Sequence, residues 1–392
     1  MIGIRSVTFQ LPEKYALNDF KELKKGVDFW KHNYSFIRTF RVNICPLRSN
    51  LDLKEVNELA CISQENNIKW FNIPINPSEV NQDKLFSFAL NVLEQFKQAF
   101  VNVIAIENDK INFEVLNNAS KLIVETSKIS INGNDNFRLG TSFNIGKGGA
   151  FFPFTMSSGS LGFSIALELT QEINRILKKS NHTIDEVQHI IYDALIPQIQ
   201  SIDSLVRTLE KNTKLTFMGF DFSLAPIHEE QGSVISILDK LGMSTFGSTG
   251  MFFATAYLTN ILKNIGKKFK TIGFSGVMYS LLEDACLCNL NNDNKITIEQ
   301  LISWSTMCGC GLDMVPVNGD ISAEKLNSIL LDIAGISIRL KKPLGVRILP
   351  IPTNGEYTQF ENDTDFIANT KVINVNNYAF SFSKGMFNFM HI

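Results

Sequence analysis

The chain has 392 residues, is 44% apolar and 19% charged, and sets 37 basic against 39 acidic side chains for a formal charge of −2. That length buries a core without difficulty, and at roughly 150 residues per domain it makes two or three units or one large barrel. The near-neutral balance gives no electrostatic basis for nucleic acid or an anionic membrane as partner, and the composition excludes a collagen-like or wholly disordered chain.

Residues 1–9 alternate like a strand and lack the charged-then-apolar layout of a signal peptide, so a cytoplasmic protein is expected. The most apolar stretches, 151–169 and 251–262, are interrupted by Glu168, Asn260 and several Ser and Gly before the roughly 20 residues a membrane span needs. Six cysteines without an export signal read as reduced thiols.

From Leu53 onward helical and extended segments alternate: a helix over 53–66, a strand over 70–75, a helix over 77–96 and a strand over 101–106. Leu53, Val56, Leu59 and Ala60 in the first helix, and Leu85, Phe88, Ala89 and Val92 in the second, are spaced for one apolar face, which predicts helices covering a sheet. Residues 128–136 and 137–145 read as paired strands. The connection Gly146-Lys147-Gly148-Gly149 follows; it has Gly148 where a phosphate loop needs Ser or Thr, so no nucleotide site is expected there. Ser160 is placed as the N-cap of a helix carrying Phe163, Ala166, Leu167, Thr170 and Ile173. A long helix over 184–210 then separates a second series: strand 215–224, helices 233–241 and 251–263, strand 271–274, helices 279–288 and 297–306, strand 312–317, helix 323–340 and strand 345–351. No linker rich in Pro, Gly or Ser divides the two series, which therefore pack as one body.

The densest chemistry runs from Met307 to Pro352. Cys308-Gly309-Cys310-Gly311-Leu312-Asp313 combines thiols, glycines that admit close backbone approach and a carboxylate; Asp320 and Arg347 follow. A bland alternative makes Asp320 a helix N-cap, Cys308 a buried thiol and Arg347 a structural ion pair. The pairs Cys286-Leu287-Cys288 and Cys308-Gly309-Cys310 have the wrong spacing for zinc ribbons, so zinc is not expected. The run Asn289-Leu290-Asn291-Asn292-Asp293 offers one carboxylate where a calcium loop needs several, and reads as a helix-to-helix turn. Metal dependence stays open, a divalent cation included. Met218-Gly219-Phe220-Asp221-Phe222-Ser223 puts Asp221 and Ser223 at a strand's C-terminal end, where α/β folds commonly place ligands.

Cys308 through Asp320, with Lys342-Pro343-Leu344 and Arg347-Ile348-Leu349-Pro350-Ile351-Pro352, resembles the family called domain of unknown function 711. Gly219 through Pro226, Phe274-Ser275-Gly276-Val277-Met278 with Glu283-Asp284, and Phe151-Phe152-Pro153 extend the match over most of the chain. The resemblance implies an α/β pyruvate formate-lyase-like barrel of about ten strands with helices outside. It would be a single domain over 1–392, built from half-barrels at approximately 1–180 and 211–392 joined by helical 183–210. A cysteine-bearing loop would enter its centre. Glycyl radical enzymes sharing that fold store a radical on a C-terminal glycine within an arginine-led motif. This chain ends Ser383-Lys384-Gly385-Met386-Phe387-Asn388-Phe389 without that arginine, so radical chemistry is not expected.

The resulting expectation is a non-radical enzyme acting on a small polar or anionic metabolite inside the barrel. Cys308 would serve as nucleophile or acid/base, Asp313 and Asp221 as anchors or acid/base groups, and Arg347, Ser223, Asp320, Ser142 and Asn144 as substrate-binding groups. The alternative, from another class, is a non-catalytic ligand-binding or regulatory protein, with a homodimer as one assembly.

Overall fold

The computed structural model describes every residue except 48–51, 78–81, 178–181, 244–245, 353–355, 361–365, 376–383 and 389–392. In chain order it contains β1 (Gly3–Gln10), α1 (Leu17–Asn33), β2 (Ile37–Asn43), α2 (Leu53–Glu65), β3 (Trp70–Ile75), α3 (Gln82–Gln95), β4 (Ala99–Ile106), β5 (Lys110–Asn112), α4 (Phe113–Thr126) and β6 (Leu139–Phe143). Then come β7 (Gly162–Glu168), α5 (Leu169–Ile176), α6 (Ile184–Asn212), β8 (Thr216–Asp221), α7 (Val234–Lys240), α8 (Met251–Gly266), α9 (Ala285–Asn292) and α10 (Ile298–Trp304). The remaining elements are β9 (Gly311–Asn318), α11 (Ala323–Leu340), β10 (Leu344–Ile351) and β11 (Met386–Asn388).

Nine strands form one sheet in the order β8-β7-β1-β2-β3-β4-β6-β10-β9. Strands β1, β2, β3, β4 and β6 run parallel to one another, as do β7 with β8 and β9 with β10, and direction reverses only at β1/β7 and β6/β10. The irregular segment 271–280 touches both sheet edges. Thr271 and Val277 bridge Phe220 and Leu224 beside β8, and Ser280 bridges Asp313 of β9, all in the parallel sense. Among the described residues no helix is long and apolar enough to cross a membrane.

Alternation along the strands divides the sheet into two chemistries, because successive side chains point to opposite faces. Val42, Phe71 and Val101 belong to the main apolar core under the helices. Their neighbours Arg41, Trp70 and Phe100 face a cavity on the other side, as do Asp313 and Arg347. The connection between β6 and β7 lies across that second face. Ala150 O accepts hydrogen bonds from Ser6 and Thr8, Asn72 Nδ2 donates to Pro153 O and Thr155 O, and Asn43 Nδ2 donates to Thr155 Oγ1. Polar side chains of β1 to β3 therefore hold the loop that carries Phe151, Phe152 and Phe154 into the interior.

Gly345 of β10 makes room for that loop, since a Cβ there would come within 2.4 Å of the Phe154 ring. Gly345→Ala is expected to cost about 1–3 kcal/mol through overpacking, read as a lower urea midpoint at unchanged slope. An unchanged midpoint would show that Phe154 moves aside freely.

Three sequence expectations need correction. Residues 128–136 are not a strand: Gly133 N donates to Ser130 O in a turn, and a one-turn 3-10 helix, Asn134–Arg138, follows. Ser160 does not cap a helix. Residues 162–168 form β7, buried along its whole length, in which Phe163, Ile165 and Leu167 alternate with Ser164, Ala166 and Glu168; the helix α5 follows only from Leu169. The helix expected over 279–288 is split, because Asp284 accepts from Leu287 N and starts α9 afresh after the 3-10 turn Leu281–Glu283. The helix expected over 77–96 begins at Gln82, and its residues 78–81 lie outside the described ones.

Candidate functional site

Strand β10 points Gly345 and Arg347 to the inner face, and β9 places Asp313 opposite. Arg347 Nε meets Asp313 Oδ1 at 2.6 Å and Nη2 meets Oδ2 at 2.8 Å, a two-pronged pair. Arg347 Nη2 also reaches Glu283 Oε1 at 3.2 Å, and Glu283 Oε2 accepts from Arg5 Nη2 at 3.0 Å. Arg5 Nη1 continues to Pro226 O at 2.8 Å. Four buried charges, Arg5, Glu283, Arg347 and Asp313, thus form one chain drawn from four distant parts of the sequence. Burial works against the Arg347 charge, but Asp313 and Glu283 outweigh it and hold its pKa above the usual arginine value.

Arg41 is different. It is 4% exposed, its Nε donates to Thr39 Oγ1 at 2.9 Å, and among the described residues no carboxylate pairs with it. Its guanidinium carbon lies 5.0 Å from the Trp70 ring centroid and 5.4 Å from that of Phe152, so aromatic faces flank it while its terminal nitrogens are left without a hydrogen-bond partner among those residues. Burial, with Arg5 and Arg347 nearby, pulls its pKa down to about 9, which still leaves it charged at neutral pH. Among the described residues the cavity wall therefore holds three guanidinium groups against two carboxylates.

These groups line a cavity of about 30 Å³, walled by Arg5, Arg41, Glu283, Cys310, Asp313 and Arg347 together with Trp70, Phe100, Phe137 and the three phenylalanines of the β6–β7 loop. That is room for one or two waters, or for a carboxylate. Cys310 forms part of this wall. Cys308 lies behind it, with the two sulfurs 3.7 Å apart.

Of the residues singled out in the sequence, Asp313 and Arg347 meet at the cavity and Cys308 stands one layer back. The others lie elsewhere. Asp221 accepts hydrogen bonds from Ser223 N and Oγ, Phe274 N and Ser275 N, and so anchors the start of the 271–280 segment. Ser142 donates to Val103 O at 3.4 Å, and Asn144 ties Asp109 to Ser337. Asp320 is exposed in the turn after β9, and the N-cap of α11 is Ser322. Among the described residues no group of three or more His, Cys, Asp or Glu is arranged to hold a metal ion. Asp293, in the Asn-rich turn, pairs with Lys295 on the surface.

The sequence singled out Arg41, with Arg38 and Arg347, as arginines suited to an anion but gave Arg41 no place in the site; Glu283 entered only through the family resemblance, and Arg5 not at all. A signal was present: an arginine inside an otherwise apolar strand, as in Phe40-Arg41-Val42, must face a polar interior or a partner.

The family profile described as Uncharacterised ACR (DUF711) matches residues 47–365. The chain belongs to this family. The matched stretch holds Glu283, both thiols, Asp313 and Arg347 of this DUF711 chain, while Arg5 and Arg41 precede it. A UPF0210 protein of Pyrobaculum aerophilum is 32% identical over 148 residues, 37% of this chain and 33% of the relative. One from Thermoanaerobacter is 28% identical over 212 residues, 53% of this chain and 43% of the relative. A third, from Sulfurisphaera tokodaii, is 26% identical over 420 residues, 98% of this chain and 93% of the relative. The chain thus spans a third to under half of the first two relatives' length and nearly all of the third's.

Proposed function

We propose that this DUF711 protein is a non-radical, thiol-dependent enzyme of the cytoplasm that binds a small monoanion inside a closed barrel. Closure is supported by the segment 271–280, whose parallel bridges to both edges of the nine-stranded sheet would supply the missing strand. The observation that carries the anion is Arg41, a buried guanidinium on the cavity wall without a carboxylate among the described residues. Arg347, the anion holder expected from the sequence, is already occupied by Asp313 and Glu283. Charge balance argues for a single negative charge, because a buried ion is stable only when paired and hydrogen-bonded. The aromatic walls favour a planar group such as a carboxylate. Cys310 on the same wall gives the bound molecule a reactive neighbour.

Calorimetric titration with a panel of small monocarboxylates, followed by turnover assays on those that bind, tests the reading. Saturable binding is expected, weakened at least about tenfold in Arg41→Met, since a hydrogen bond to a charged group is worth about 1.5–3 kcal/mol. If no small monoanion binds, or if Arg41→Met binds as the parent does, the anion site is wrong. Binding without turnover would leave a ligand-binding protein in place of an enzyme.

A further inference from the structure

Two sulfurs with unequal surroundings stand at the cavity. Cys308 Sγ accepts the backbone N–H of Tyr279 at 3.3 Å, and Lys342 sits beside the same residue with Nζ donating to Cys308 O at 2.6 Å and Thr306 O at 2.9 Å. Lys342 is half-buried and, among the described residues, faces only carbonyl oxygens, so a negative charge at Cys308 is its electrostatic complement. Cys310 has the opposite setting: its charged neighbours are Asp313 and Arg347, already paired, and it is a lining residue of the cavity, which Cys308 is not.

The loop between them is rigid for steric reasons. Gly309 packs backbone to backbone on Gly276, and Gly311 has φ +104° where a Cβ would strike Gly345. Cys308 N donates to Trp304 O at 2.8 Å, and Gly345 N donates to Cys310 O at 2.7 Å.

We infer that Cys310 is the reacting thiol and that Cys308, as the thiolate behind it, takes its proton. The inference rests on the enzyme reading above; of the two roles expected for Cys308, nucleophile or acid/base, it assigns the acid/base one and gives the nucleophile's role to Cys310. In the step, Cys310 Sγ forms a bond to an electrophilic carbon of the bound anion, a carbonyl carbon for example. The S–H bond breaks, its proton passes to Cys308 Sγ, and the carbonyl π pair moves to oxygen. No oxidant or metal is needed for that balance. Burial opposes a charge on Cys308, but the Cys310 thiol, the Tyr279 N–H and Lys342 together bring its pKa down to about 7, and the same coupling pushes Cys310 up. The pair titrates as an interacting dyad, and its one-proton form, a thiolate at Cys308 beside a thiol at Cys310, is populated near neutral pH. The charged groups facing it are Lys342, with Lys263 beyond it, Asp313 and Arg347; Tyr279 points its hydroxyl away, to Thr255.

Methyl methanethiosulfonate, with peptide mass mapping, reads the two sulfurs separately in ligand-free protein. The attacking sulfur gains a methylthio group and methanesulfinate leaves. Cys310 is expected to be labelled first, at a rate that rises with pH around a midpoint of about 7. Cys308→Ala should raise that midpoint by a unit or more and slow labelling at neutral pH about tenfold. Lys342→Met, a change outside the cavity wall, should shift it in the same direction and serves if Cys308→Ala does not fold. Labelling of Cys308 before Cys310, an identical midpoint in both variants, or no labelling of either sulfur overturns the inference. Labelling is read in ligand-free protein and anion binding by calorimetry, so failure of the anion site and failure of the thiol assignment are distinguishable.

Discussion

Replacing Arg347 with methionine is expected to destabilise the protein by about 3–5 kcal/mol, the usual cost of removing one partner from a buried ion pair. The loss of attraction is the smaller part. Asp313, 4% exposed, would be left as an uncompensated carboxylate in the interior, and Glu283 would keep only Arg5. The double variant Arg347→Met/Asp313→Leu should recover much of the loss, because removing both ends of a buried pair leaves no orphaned charge. Urea unfolding of the two variants decides the matter. A single variant within about 1 kcal/mol of the parent would show that water reaches Asp313 and that the network is not truly interior.

Arg41→Met should change stability in the opposite direction, raising it by about 1–3 kcal/mol in ligand-free protein. Burying a guanidinium costs several kcal/mol when no carboxylate compensates, and contacts with the Trp70 and Phe152 faces return about 2 kcal/mol or less each. Methionine keeps the length and fills the same aromatic slot. Such a gain at a wall residue is what a group retained for binding predicts, since function tolerates a local loss of stability. A bound monoanion should then stabilise the parent and not the variant, by an amount that grows with ligand concentration. Lower stability in Arg41→Met would mean that its guanidinium is structural, and the anion reading would fail with it.

Much of the architecture was legible in the residues themselves. The strand over 70–75 and the helix over 323–340 were found at their observed limits, because side-chain periodicity acts within a few residues of chain, although the helix's cap is Ser322 and not Asp320. Strand β7 was misread because the helical spacing of Phe163, Ala166, Leu167, Thr170 and Ile173 overlaps the alternation of Phe163, Ile165 and Leu167 with Ser164, Ala166 and Glu168, and α5 begins directly after the strand at Leu169.

The site divides along the same line. Cys308, Asp313 and Arg347 stood out because thiol, carboxylate and guanidinium are chemically conspicuous within 40 residues of one another. Which charges neutralise which was decided only by tertiary structure. Arg5 finds Glu283 across 278 positions through strand order and register, and Arg41 is left over because the same register brings it no acid among the described residues. Which of the two cysteines lines the cavity was decided in the same way. The left-handed turn at Gly311, packed on Gly345, turns the chain so that Cys310 borders the cavity and Cys308 meets Tyr279 and Lys342, and no local pattern of residues encodes a contact made across a sheet.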